Sequence, residues 1–233
     1  MTDFTLIVLA LIFPVVGAVS NLALHKNPNL RDSATLLSAL LTFYTCIKIF
    51  QNFEGETVSY PVANVLPGLD ISFHLEPLGI IFSLLASGLW ILTHIYAVGY
   101  MRGAKEGNHS RFFLFFSLSI ASVMGIAFSA NLFTLFLFYE LLTLITFPLV
   151  SHKGNSDAIK GARVYLSILL GTSVALQLLG IIWIYYEIGN LDFVAGGILG
   201  NAFGRVELLV LVGLFAFGIG KAALFPFHRW LPA

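Results

Sequence analysis

Apolar residues run through this chain in long blocks broken by short polar connections. Seven blocks stand out, at residues 4–24, 33–53, 77–100, 111–128, 131–151, 162–186 and 206–230. Each is close to the roughly 20 apolar residues that an α-helix needs to cross a bilayer. The pattern therefore predicts an all-α polytopic membrane protein of about seven transmembrane helices. Only Ser129, Ala130 and Asn131 separate the fourth block from the fifth, which predicts a tight antiparallel hairpin. The longest connection, 54–76, holds Pro61, Pro67, Gly68 and the acids Glu54, Glu56, Asp70 and Glu76. Val58-Ser59-Tyr60 and Leu69 to Phe73 alternate apolar and polar residues, so a short β-hairpin is expected there. Pro77 follows Glu76 and opens the third helix, where its missing N–H is harmless. The expected division is residues 1–110, with three helices and the loop 54–76, and residues 111–233, with four.

Charge gives the pattern a direction. Lysine and arginine fall on alternate connections: Lys26 and Arg31, then Arg102, Lys105 and Arg111, then Lys153, Lys160 and Arg163. The other connections hold only Arg205. By the positive-inside rule the N-terminus lies outside and the C-terminus in the cytoplasm. Ala18-Val19-Ser20 resembles a signal-peptidase site, but the positive charges follow the first apolar block and do not precede it. That order predicts a retained helix.

Composition narrows the chemistry. The chain is 58% hydrophobic and 10% charged, with a formal net charge of zero, which gives no nucleic-acid footprint. Its single cysteine, Cys46, excludes an intrachain disulfide and a cysteine metal cluster. No dinucleotide fingerprint is present. No second mid-depth histidine completes a haem pair. No cofactor and no metal are expected.

Two charges sit inside the blocks. Glu140 is central in the fifth, NLFTLFLFYELLTLITFPLVS, and Lys221 lies in the seventh, ahead of Pro226. A lysine at the centre of a membrane helix costs roughly 2.5–3.5 kcal/mol. Proline cannot donate to the carbonyl of Ala222, so the seventh helix is expected to break at Pro226. Gly213, Ala216, Gly220 and Ala223 would form one small-residue stripe on it. Thr143 shares a face with Glu140. Desolvation disfavours a charged lysine and a nearby carboxylate favours it. A Glu140–Lys221 pair that opens and closes would therefore work as a proton switch. The plainer alternative is a structural salt bridge that fixes helix packing. His94 and His228 are candidate proton relays; for His94 the alternative is a hydrogen bond within the bundle. Lys48, near a helix end, is expected to snorkel to the surface. Tyr96, Tyr100 and Trp230 read as interface anchors.

Three motifs in order carry a resemblance. LEPLGIIFSLLASGLWILTHIYAVGYMRG (75–103), the fifth block and GIGKAALFPFHRWLP (218–232) resemble the third, fifth and broken seventh helices of the antiporter-like subunits shared by Mrp cation/proton antiporters and respiratory complex I. PGLDISFHLEPLG and the YMRG ending are most similar to the D-type member of the Mrp antiporter subunits. The resemblance implies roles for Glu140 and Lys221 in proton translocation, and a motif running on through His228, Trp230 and Pro232. It implies several different membrane subunits as partners, protons and monovalent cations such as sodium as cargo, and no redox centre in the chain itself. It also implies a bacterial-type cell membrane. Members of this family have about fourteen helices in two inverted repeats, so seven helices suggest an N-terminal half with an incomplete first repeat. The leading expectation is a proton-translocating subunit of a sodium/proton antiporter. The alternatives are a proton-pumping membrane subunit of a NADH:quinone oxidoreductase and a non-transporting structural subunit.

Overall fold

The computed structural model describes residues 2–55, 57–104, 106–200 and 202–231. Glu56, Lys105 and Pro232, which enter the readings above, lie outside the described residues. The elements in chain order are α1 (Asp3–Ala23), α2 (Pro28–Asn52), β1 (Tyr60–Leu66), β2 (Leu69–Phe73), α3 (Pro77–Gly103), α4 (His109–Ala127), α5 (Leu132–Val150), α6 (Ser156–Thr172), α7 (Leu178–Ile188) and α8 (Arg205–Gly218). A π-helical turn, Ser173–Gln177, joins α6 to α7, so that Ser156–Ile188 is one continuous span. Among the described residues six helices are long and apolar enough to cross a membrane: α1 to α5 and this span. The chain is thus a multi-pass membrane protein. The seventh apolar block is different. It supplies only the 14-residue α8 and then a short 3-10 turn at Gly220–Ala222.

The chain divides into two compact units, residues 1–60 with 73–129 and residues 61–72 with 130–233. In the first unit α1 packs on α2 and α4, and α3 packs on α2 and α4. α4, expected to open the second half of the chain, therefore sits with the first three helices. Trp90, Phe113 and Met124 are buried here. Without a hydrophobic drive between helices in lipid, hydrogen bonds and close packing hold such bundles. Asn21 illustrates this: its side-chain amide donates to Gly17 O (2.7 Å) and to Thr35 Oγ1 on α2 (3.0 Å). α2 begins at Pro28, its first-turn proline, earlier than the apolar pattern predicts. This shift moves Arg31 and Asp32 out of the connection and into a helix.

In the second unit, the expected β-hairpin forms and turns at Gly68, whose φ of +76° suits glycine. β2 contributes Leu69 to an apolar cluster with Phe136, Ile181, Ile184, Leu191, Phe203 and Leu211. Asn131 caps α5, accepting from Thr134 N (2.7 Å). Its amide donates to Asp70 O and Ser72 Oγ, both at 2.8 Å, and so ties the cap to β2. Asn155 caps α6 through Ala158 N at 2.8 Å, which starts this helix before the apolar block itself begins.

Candidate functional site

α5 is regular around Glu140, and Tyr139 and Thr143 are buried on it four residues apart, on one face. α8 approaches α6 and α7 with its C-terminal end. A Cβ on Gly218 would lie 2.6 Å from Gln177 N, and one on Gly220 would lie closer still to Thr172 Oγ1. Only glycine allows the two backbones so close. Gly213 faces open space, so of the two glycines in the expected Gly213-Ala216-Gly220-Ala223 stripe only Gly220 packs closely.

The break also differs from expectation. Regular helix stops at Gly218 and leaves at Ile219 (φ −79°, ψ 71°), well ahead of Pro226. Lys221 therefore stands in the 3-10 turn after the helix and not within it. Glycines at 218 and 220 weaken the helix locally, and Pro226 denies a helical bond to Ala222. Backbone groups freed in a membrane need partners. The Lys221 N–H donates to the Tyr139 hydroxyl (3.3 Å), and the Gly220 carbonyl accepts from Trp230 Nε1 (3.1 Å). Trp230 thus braces the break and stacks edge-on against Tyr165, 5.6 Å between centroids, a different role from interface anchor.

The Lys221 ammonium has three contacts. Nζ donates to the Tyr139 carbonyl (3.0 Å) and to Thr143 Oγ1 (2.6 Å), and it lies 3.4 Å from the centroid of the Tyr139 ring. The Thr143 hydroxyl in turn donates to the Tyr139 carbonyl at 3.1 Å. All three acceptors are neutral. Glu140 is near enough to act electrostatically on Lys221, yet no ion pair joins these two described residues in this conformation. Both Glu140 carboxylate oxygens are buried without a hydrogen-bond partner, and so is Gln177 Oε1. Ser173, from the π-helical turn, approaches Glu140 but gives its hydroxyl proton to Leu169 O (2.8 Å). A buried carboxylate without a partner is costly when ionised. That cost falls when it takes a proton or when Lys221 swings onto it.

Sequence reasoning thus named Glu140, Lys221 and Thr143, placed Trp230 in the motif and read it as an interface anchor, and missed Tyr139, Ser173 and Gln177. Tyr139 adjoins Glu140, but nothing in a one-dimensional pattern shows that the lysine rests on its ring. His228 is exposed and stacks on Phe225 at 5.6 Å. His94 belongs to the first unit, where Nε2 meets the Asp32 carbonyl at 3.0 Å. Lys48 bonds Gln51 Oε1 at 3.1 Å near the end of α2. Tyr96 and Tyr100 are exposed, stacked on each other. Cys46 is fully buried.

The first unit holds a second cluster that the sequence reading overlooked. Asp32, 7% exposed, receives Arg31 Nε (2.8 Å) and its terminal nitrogen (2.7 Å) on Oδ1, and Arg102 (2.5 Å) on Oδ2. Arg31 also donates to Ser110 at 3.1 Å, which adds α4.

The chain is similar to known proteins. The NADH:quinone oxidoreductase/Mrp antiporter transmembrane family matches residues 129–233, and the NADH-ubiquinone oxidoreductase (complex I) chain 5 N-terminal family matches 67–113. A probable K(+)/H(+) antiporter protein of Rhizobium meliloti (strain 1021), of the A/B subunit type, is 34% identical over 71% of this chain. An Na(+)/H(+) antiporter protein of Staphylococcus aureus, of the A1 subunit type, is 28% identical over 98%. The chain spans 16% of the length of the first and 29% of the second. The membrane-bound sulfane sulfur reductase, an archaeal respiratory membrane complex, shares the fold with a TM-score of 0.81 at 23% identity, over 99% of this chain and 36% of its own. The Mrp complex from Dietzia sp. DQ12-45-1b does so with a TM-score of 0.80 at 18% identity, over 100% of this chain and 25% of its own. The two sequence relatives are of the A and A/B types, whereas the motif resemblance points to the D type. Matching families at both motif regions, relatives across almost the whole chain and a common fold lead to one assignment: the chain belongs to the antiporter-like membrane subunit family of Mrp antiporters and NADH:quinone oxidoreductases.

Proposed function

We propose that this chain forms part of the proton-translocating machinery of a multisubunit monovalent cation/proton antiporter, with Glu140 and Lys221 as its switch. The observation that carries this reading is the resting place of Lys221. Its ammonium sits on Thr143, the Tyr139 carbonyl and the Tyr139 ring, while the carboxylate of Glu140 stays unpartnered. A fixed structural salt bridge would join the two groups. Here the lysine has a second seat made of neutral acceptors, so it can leave the acid and return. With Lys221 away, Glu140 is the group that gains most from taking a proton. With Lys221 on Glu140, the proton is no longer favoured there. The 3-10 turn that carries Lys221 supplies the freedom for this exchange.

The relatives support sodium or potassium as the coupled ion, by the names they carry. The distribution of lysine and arginine supports an N-terminus outside and a C-terminus in the cytoplasm, in a bacterial-type cell membrane. Exposed Val206, Leu209 and Val212 on α8 give a lateral apolar face suited to lipid or further membrane subunits. The second reading, a proton-pumping subunit of a redox-driven complex, is favoured by the shared fold with the archaeal respiratory complex. His94 and His228 remain proposed relay positions.

The test is transport by the full-length protein in membrane vesicles. Glu140→Gln and Lys221→Ala are each expected to abolish cation-coupled proton movement while the protein stays in the membrane. Full transport by both variants would overturn the switch.

A further inference from the structure

The Arg31–Asp32–Arg102 cluster has no part in the switch, and its charges do not cancel. One acid faces two guanidinium groups. Arg31 is 3% exposed and saturates Asp32 Oδ1. The uncompensated positive charge therefore falls to Arg102, whose side chain is 42% exposed. Beside it a cleft of about 310 Å³ opens between α2 and α3. Its walls differ. Asn29, Ser33 and Arg102 make the polar end, and Leu36, Ile95 and Val98 make the apolar side. His94 also lines it, 2% exposed. The Asp32 carbonyl at His94 Nε2 fixes that nitrogen as the donor. Nδ1 is left as a buried acceptor without a partner.

We propose that this cleft binds an anionic phospholipid, with phosphatidylglycerol as the probe. The phosphate sits on Arg102 and Ser33, and an acyl chain lies along Leu36, Ile95 and Val98. Each half of the cleft selects for this. A free phosphate would leave the apolar wall without an occupant. A choline headgroup adds a cation beside Arg102. A metal cation is repelled by the two guanidinium groups. The cleft lies at the ends of α2 and α3 that adjoin the connection carrying Lys26 and the first turn of α4 carrying Arg111, basic residues of the kind that draw acidic lipid to a surface.

The experiment uses the full-length protein purified from membranes, with bound lipid quantified by mass spectrometry, and reconstituted in nanodiscs of phosphatidylcholine with and without phosphatidylglycerol. Arg102→Gln leaves Asp32 balanced by Arg31 and removes the free charge. Leu36→Trp fills the apolar wall and leaves the ion cluster untouched, so it serves if the first variant fails to fold. Arg102→Gln is expected to lower retained phosphatidylglycerol about tenfold or more, the effect of losing a charge-assisted hydrogen bond, and Leu36→Trp is expected to lower it by leaving no room for the acyl chain. Phosphatidylglycerol, but not phosphatidylcholine, is expected to raise the thermal midpoint of the unmodified protein. Unchanged phosphatidylglycerol retention by Leu36→Trp would overturn the proposal. So would equal retention of phosphatidylcholine, or an equal rise in the midpoint given by inorganic phosphate alone.

Discussion

Asp32 and Glu140 are both acids set among apolar helices, and their surroundings treat them in opposite ways. Asp32 is held by two guanidinium groups, and the helix that carries it is tied through them to α3 and α4. Glu140 has a lysine within electrostatic reach and no hydrogen bond to either oxygen. The chemistry of the cations explains part of the contrast. Arginine is planar, permanently charged and able to grip a carboxylate with two nitrogens, which suits a lock. Lysine is a compact charge on a flexible stem, which suits a part that moves. A saturated acid serves architecture, and an unsatisfied one beside a movable cation can store and release a proton.

The contrast can be broken most severely at the lock. Asp32→Asn leaves a buried Arg31 without its counter-charge, and loss of one partner of a buried pair costs about 3–5 kcal/mol. Thermal unfolding in detergent is expected to show a lowered midpoint and membrane extracts a lowered yield. If the unfolding curve does not move, Asp32 is no lock. Glu140→Gln should behave in the opposite manner. Its stability is expected to change by about 1 kcal/mol or less, while proton movement in vesicles falls by about a hundredfold or more, the scale of a lost acid–base group. Gly220→Ala tests the seat of the proposed switch. The added methyl would run into Thr172 Oγ1, and overpacking of this kind costs about 1–3 kcal/mol. Gly213→Ala, in open space, should stay within about 0.5 kcal/mol; equal effects at 213 and 220 would remove the close approach from the account. The smallest change is expected of Thr143→Val, which keeps the shape and removes one acceptor of Lys221. Transport should slow several-fold, with expression and unfolding midpoint unchanged, as measured side by side with the unmodified protein.

Much of this was legible in one dimension. Long continuous apolar blocks specify membrane helices because a helix satisfies its own backbone within one segment in lipid, and β-alternation around Gly68 marked the hairpin. Glu140 and Lys221 stood out because ionisable residues are rare inside such blocks. What the pattern misjudged depends on neighbours. The helix ends at Gly218, well ahead of Pro226, where glycines at 218 and 220 lie close against Gln177 and Thr172, an approach that no one-dimensional pattern shows. Arg31 reads as a loop charge until Pro28 is seen to start α2 early, after which Asp32 faces Arg102, seventy positions on. By charge alone Lys221 belongs on Glu140. Tyr139 offers a carbonyl, a ring and a hydroxyl from one residue, and that combination arises only once the turn folds against α5.

The π-helical turn at Ser173–Gln177 has one more consequence. A wider turn amounts to one residue inserted into a helix, and every side chain beyond it is rotated by about 100° relative to an uninterrupted spiral. Leu179, Ile182 and Tyr186, all exposed on α7, owe their outward heading to that phase offset. Deleting a single residue within 173–177 would keep the composition of the span and turn its lipid-facing side by more than a quarter of a circle.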